Sequence, residues 1–195
     1  MTHPQAAPPQ YGSPRRPAPT PAARPRRPGA LTALLLSGVL AALAGVIGSA
    51  LVLSGGEELA ETNVKNVIED HPDVLGLPAG MGAQDFQGFA GPLWDELISE
   101  RADTLAARAL LVVFFSVVLL VFTLLARTAA VWARVLITLV GLLTLIPHLL
   151  VVTDHEPASA TAFSCLALVA CLAAMVCCWL PANQRYANAL RAAAY

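Results

Sequence analysis

Four apolar runs of about twenty residues each dominate this chain, at 31–53, 107–126, 131–152 and 158–180. An α-helix rises ~1.5 Å per residue, so roughly 20 residues cross the ~30 Å hydrocarbon layer of a bilayer. Each run meets that requirement. Charged residues make up only 13% of the chain, too few to solvate the surface of a soluble domain of this size. Four buried helices of a soluble protein would also need an amphipathic layer over them, and no segment supplies one. The expected fold class is an all-α membrane protein: a four-transmembrane-helix bundle with a disordered Pro/Arg-rich N-terminal tail and a helical extracytoplasmic loop.

The ionised residues orient the spans. Arg15, Arg16, Arg24, Arg26 and Arg27 precede the first span, Arg127 and Arg134 flank the second connection, and Arg185 and Arg191 follow the fourth span. No carboxylate lies in these three segments. All 13 acidic residues fall in 54–106 and 153–157, where Lys65 and Arg101 are the cations, with Arg108 at the edge of the second span. Positive residues stay on the cytoplasmic side, which puts both termini inside. An even number of spans independently requires both ends on one side.

The expected organisation is a disordered cytoplasmic tail at 1–29, a first span at 30–53, an extracytoplasmic loop with amphipathic helices at 54–106, and a second span at 107–126. A cytoplasmic turn at 127–134 follows, within which the third span can begin near 131. The third span occupies 135–152, an extracytoplasmic turn 153–157, the fourth span 158–180, and a cytoplasmic C-terminal tail 181–195. The first span continues well past the ~7 to 15 apolar residues of a cleaved secretory signal, so it reads as an uncleaved anchor.

Residues 1–29 hold nine of the 15 prolines and almost no large apolar side chain. Burial cannot offset the ordering entropy of such a segment. Its arginines suit anionic lipid, at about 1 kcal/mol each near the surface. Arg15 and Arg16 sit a coil distance of roughly 20 Å away, beyond the ~8 Å screening length, and contribute little.

In the loop, Ala60, Val64, Val67 and Ile68 recur at helical spacing before a stop at Asp70-His71-Pro72. A Gly-rich stretch runs from Gly76 to Gly91. Pro92 suits a first helical position, and Leu93, Trp94, Leu97, Ile98 and Leu105 carry a face into the second span. Trp132 and Trp179 fall at the inner boundary, where aromatic anchors belong.

Helices in lipid associate through close packing, so rows of small residues mark their contacts. The first span carries Ser37, Ala41, Gly45 and Ser49 at every fourth position. The fourth carries Ala160, Ser164, Ala167, Cys171, Ala174 and Cys178. The second offers Ala109, Ser116 and Thr123, and the third Arg134, Thr138, Gly141, Thr144 and His148. A homodimer through the first span's row is an alternative use of that face.

Little in the chain points to a reaction. Cys165, Cys171, Cys177 and Cys178 share one span and lack the surface-exposed pair that thiol exchange needs, so they read as packing residues. One helix of thiols lacks the convergence of a metal site. His71-Pro72-Asp73 reads as a helix stop, and Gly80 to Gly82 lack the preceding strand of a nucleotide loop. Asp154, His155 and Glu156 read as a solvated turn. No Asp, Glu or Lys lies within a span, while Arg108 and Arg134 lie close enough to span ends to reach the interface. The candidate intramembrane polar site is His148 with Thr144 and Pro147, about 9 Å beneath the outer boundary. A neutral imidazole bonded to a Ser or Thr, and a helix bent at Pro147, fit that depth.

The stretches "VWARVLITLVGLL" and "CCWLPANQRY", together with the proline-rich tail, resemble a broad group of uncharacterised small four-span membrane proteins of actinobacteria. That resemblance implies four spans and a cell-membrane location, and brings no catalytic residue with it. The expectation is a non-enzymatic integral membrane protein, an envelope accessory or interaction protein. The alternative is a small transporter or channel using His148 on an interior helix face. Neither catalytic residues, a cofactor, a metal site nor nucleic-acid binding is expected. The expected partners are the lipid bilayer, anionic lipid at the N-terminal arginines, and a membrane or envelope protein.

Overall fold

The computed structural model describes residues 26–72, 76, 80, 82–128, 130–154 and 156–192. The readings of residues 1–25, of Asp73 and of His155 lie outside them. The order is α1 (Gly29–Asp70), α2 (Ala83–Ala90), α3 (Pro92–Leu125), a 3₁₀ turn (Ala126–Thr128), α4 (Val131–Thr153), α5 (Ala158–Cys178) and α6 (Pro181–Ala192). α1 packs along both α3 and α5, and α4 closes the ring against the same two helices. Short connections after α3 and α4 force the antiparallel neighbours of such a ring.

α1, α3, α4 and α5 are each long and apolar enough to cross a membrane. Their outward faces carry Leu36, Leu40, Ile47, Phe114, Leu139, Ile146, Val169 and Val176, all exposed. An apolar belt of that extent is matched to lipid, where it costs nothing to leave open. The chain is a multi-pass integral membrane protein with four spans packed as a helical bundle.

At 34 residues α3 runs on the order of 50 Å, so about 20 Å of it stands clear of the hydrocarbon layer. α1 likewise continues past its apolar run, interrupted at Gly56, whose φ of 49° and ψ of −137° are left-handed values that a side chain would disfavour. These extensions form the loop end of the bundle. Val64 and Ile68 of α1, Ala83 of α2, and Trp94, Ile98 and Leu105 of α3 share one buried cluster there with Val52, Val151 and Ala160 from the spans.

α2 is a helix inside the stretch whose glycines suggest loop. Asp85 accepts a hydrogen bond from the Gly82 amide at 3.3 Å, satisfying one free N–H of the first turn. Phe86 then stacks edge-on against Trp94, ring centres 6.2 Å apart. Gly91, at φ 51°, turns the chain into Pro92, the first residue of α3.

The opposite, terminal end holds the second buried cluster, with Leu31, Leu34, Leu119, Ala133, Ile137 and Cys178 at its centre. α6 covers part of it by burying Asn183 and Ala187 and packing Tyr186 alongside. The segment after Pro181 is therefore helical where composition alone suggested a tail. Pro181 at its first position was the available signal. Arg134, near the start of α4, is buried.

Candidate functional site

Two polar constellations lie on the bundle axis, one at the loop end and one inside the spans. The first is built by α3. Arg101 and Arg108 stand seven residues apart, two helical turns, and so project from one face. Arg101 donates through Nε to Asn63 Oδ1 on α1 at 2.9 Å, through Nη1 to Asp154 Oδ2 at 2.9 Å, and through Nη2 to the Asp154 carbonyl at 3.0 Å. Arg108 Nη1 donates to the same Asp154 Oδ2 and to Glu156 Oε1 at 3.1 Å. The α4–α5 turn is thereby clamped to α3, and α3 to α1. This corrects the reading of a solvated turn for Glu156, whose side chain is only 2% exposed, while Asp154 stays 42% exposed.

The two carboxylates respond to this setting in opposite directions. Burial is the largest influence on Glu156 and raises its pKa above the ordinary carboxylate value, more than Arg108 lowers it. For Asp154 burial also pulls upward, but the hydrogen bonds from Arg108 and Arg101 outweigh it and hold the group below its ordinary value. Among the described residues, no three of His, Cys, Asp or Glu are grouped so that they could hold a metal ion.

The second constellation gathers one residue from each span. His148, on α4, is buried, and its Nδ1 lies 3.2 Å from Ser164 Oγ on α5. Among the described residues its Nε2 has no hydrogen-bond partner, and neither has Ser116 Oγ on α3. Both face Gly45 of α1. A Cβ at Gly45 would overlap Ser116 Oγ and stand 3.4 Å from His148 Nε2. The lack of a side chain at position 45 is what lets the two polar groups approach.

No family model, curated protein or solved structure matches this chain. What its residues can do therefore rests on their own geometry.

Of the predicted site residues, Thr144 is buried but donates to its own helix, at Val140 O, 2.7 Å away. Pro147 is buried beside His148 within a helix that runs unbroken from Val131 to Thr153. Ala41, Gly45 and Ser49 are buried on α1, and Ala167, Cys171, Ala174 and Cys178 on α5. Ser37 is half-buried and donates to Ala33 O at 2.8 Å, while Gly38 next to it faces Thr123. Cys171 Sγ reaches Gly141 O and Cys178 Sγ reaches Arg134 O, at 3.7 and 3.8 Å, which ties α5 to α4.

Ser116 and Ser164 stood out in the sequence only as members of small-residue rows. Arg101, Arg108 and Asn63 carried no motif at all. A signal did exist for the arginines: they are cations one heptad apart at the mouth of a bundle whose short turn carries carboxylates.

Proposed function

We propose that the chain is a non-enzymatic accessory protein of the cell envelope, oriented with both termini in the cytoplasm. In this reading the loop end is an extracytoplasmic platform that binds another membrane or envelope protein. The orientation is supported by charge, since every carboxylate belongs to the loop-end segments and arginines alone flank the terminal end. The docking role is carried by one observation. Phe89 and Leu93 are 87% and 66% exposed, on a platform where Trp94 and Ile98 are buried, Phe86 and Leu97 half-buried, and whose helices are clamped by Arg101 and Arg108. Two bulky apolar groups held on a rigid, acid-rich surface suit an apolar anchor ringed by cations. Glu96, Glu100 and Asp103 line an open groove on the adjoining part of α3.

A photo-crosslinking side chain at position 89 or 93, in the intact membrane, tests this. A crosslinked partner that is lost when Glu96, Glu100 and Asp103 are all changed to Lys supports the platform. Recovery of only self-crosslinks overturns it. For the orientation, Ser99→Cys in a background without the four native cysteines should react with an impermeant thiol reagent from outside. Labelling only after permeabilisation reverses the assignment.

A second reading, a small transporter or channel, is favoured by His148, which presents an unpartnered Nε2 inside the spans. His148→Leu separates the two: a docking protein keeps its partner, and a transporter loses flux.

A further inference from the structure

Glu156 borders two spaces. On one side is an open groove of ≈ 430 Å³ between the loop-end part of α1 and the start of α5, lined among others by Asn63, Asp70, His71 and Thr161. On the other is a small cavity of ≈ 10 Å³ between α1, α3, α4 and α5, which has Gly45, Ser49, Ala160 and Ser164 in its walls. A cavity of that size holds about one water, and a water is held only where polar groups converge. Glu156, Ser49 and Ser164 supply them. Ser164 in turn meets His148 Nδ1, while Gly45 forms the wall behind which His148 Nε2 and Ser116 Oγ lie without partners.

We propose that groove, Glu156, cavity and Ser164 form a one-sided access path by which water and the hydrated proton of the loop-end compartment reach His148. The path ends there. Below His148 and Ser116 the bundle closes with Leu34, Ala41, Leu119, Ile137 and Val140 in one apolar cluster. The proton balance is simple. A proton from hydronium in the groove passes by way of Glu156 and the cavity water to the Ser164 hydroxyl. Ser164 hands its own proton to Nδ1, leaving an imidazolium and one molecule of water in place of hydronium. Reversal of the same steps returns the proton. The charged and titratable groups at the mouth are Asp70 and His71 at the end of α1, Glu156 and Asp154 from the turn, and Arg101 and Arg108 from α3; within the cavity α1 and α5 contribute the hydroxyls of Ser49 and Ser164.

The path adds a direction of access to the transporter reading but does not require flux. A structural His148 reached by water from one side satisfies it equally. Proton flux into proteoliposomes therefore tests that reading separately.

The experiment uses full-length protein with ¹⁵N-labelled histidine in lipid nanodiscs, and reads magnetisation transfer from water to the imidazole signal that disappears in His148→Gln. Transfer is expected in the native chain. It should fall at least fivefold in Ala160→Leu, and in the milder Ala160→Val, which fill the cavity from the loop side. Thr123→Val, between Leu119 and Ala126 of the apolar cluster on the terminal side of His148, should leave it unchanged. Near-UV circular dichroism identifies which plugged variant retains native packing. Absence of transfer in the native chain, persistence of full transfer in a correctly packed plugged variant, or its loss in Thr123→Val would each overturn the path.

Discussion

Arg108 on α3 holds Glu156 on the far side of the bundle through a 3.1 Å charge-assisted hydrogen bond, and the carboxylate it holds is almost wholly buried. Removing one member of such a pair strands the other. Arg108→Ala is expected to destabilise the protein by about 3 kcal/mol, because Glu156 would remain buried without its cation. Arg101→Ala loses bonds to Asn63 and Asp154 but leaves Asp154, which is 42% exposed, still held by Arg108, and should cost about 1 kcal/mol. Unfolding in mixed micelles measures both. Equal losses would show that burial of Glu156 does not govern the clamp.

The opposite displacement of the two turn carboxylates gives a pH dependence of opposite sign. Asp154 is held below its ordinary value, so it stabilises the fold above the unfolded-state pKa, and that contribution fades as pH falls through the lower folded-state value. Asp154→Asn should therefore destabilise at neutral pH by about 1–2 kcal/mol, with the difference narrowing in acid. Glu156 is raised, so the folded state prefers it protonated. Its charged form is a liability above the raised pKa, and the liability disappears below the ordinary value. Glu156→Gln should be neutral to stabilising at neutral pH and converge with the native chain in acid. Unfolding midpoints across the acid range check both signs.

The bundle was legible because lipid imposes a length and a polarity on every span, and both can be read one residue at a time. The four apolar runs needed no knowledge of their neighbours. The loop-end clamp was not legible in the same way: Arg101 and Arg108 meet Asp154 and Glu156 from about fifty residues away, and only the ring of helices brings them together. Exposure assigned to Glu156 from the turn's local composition was wrong for that reason. α2 was hidden by its flanking glycines and depends on Phe86 meeting Trp94. His148 could be placed at its depth from the span boundary, but its pairing with Ser164 needed the rotation of α5 about its axis.

Trp94 is the largest side chain buried in the loop-end cluster, in contact with Phe86 of α2. Trp94→Ala should cost about 3–4 kcal/mol locally. The loss belongs to the platform, since the spans are secured by their own packing and by lipid. Hydrogen exchange should show amides of residues 83–98 losing protection while those of α4 and α5 keep it. Loss of protection in all four spans would mean that platform and bundle fold as one unit.

Gly45 gives the most stringent test of packing within the spans, because its missing side chain is what admits Ser116 and His148 to the axis. A methyl group at position 45 overlaps Ser116 Oγ, so α1 and α3 must part or the serine must turn away. Gly45→Ala is expected to destabilise by about 2 kcal/mol despite its better helix propensity. Ser116→Ala alone removes a buried hydroxyl that has no partner, and should be neutral or mildly stabilising. In the double variant two methyl groups still crowd each other, but the hydroxyl oxygen that lay closest is gone and the new surfaces are both apolar. The pair should recover about 1 kcal/mol relative to the sum of the single changes, a coupling expected only of residues in contact. Strict additivity would place Gly45 and Ser116 on separate faces and remove the basis for the approach of His148 to the same point.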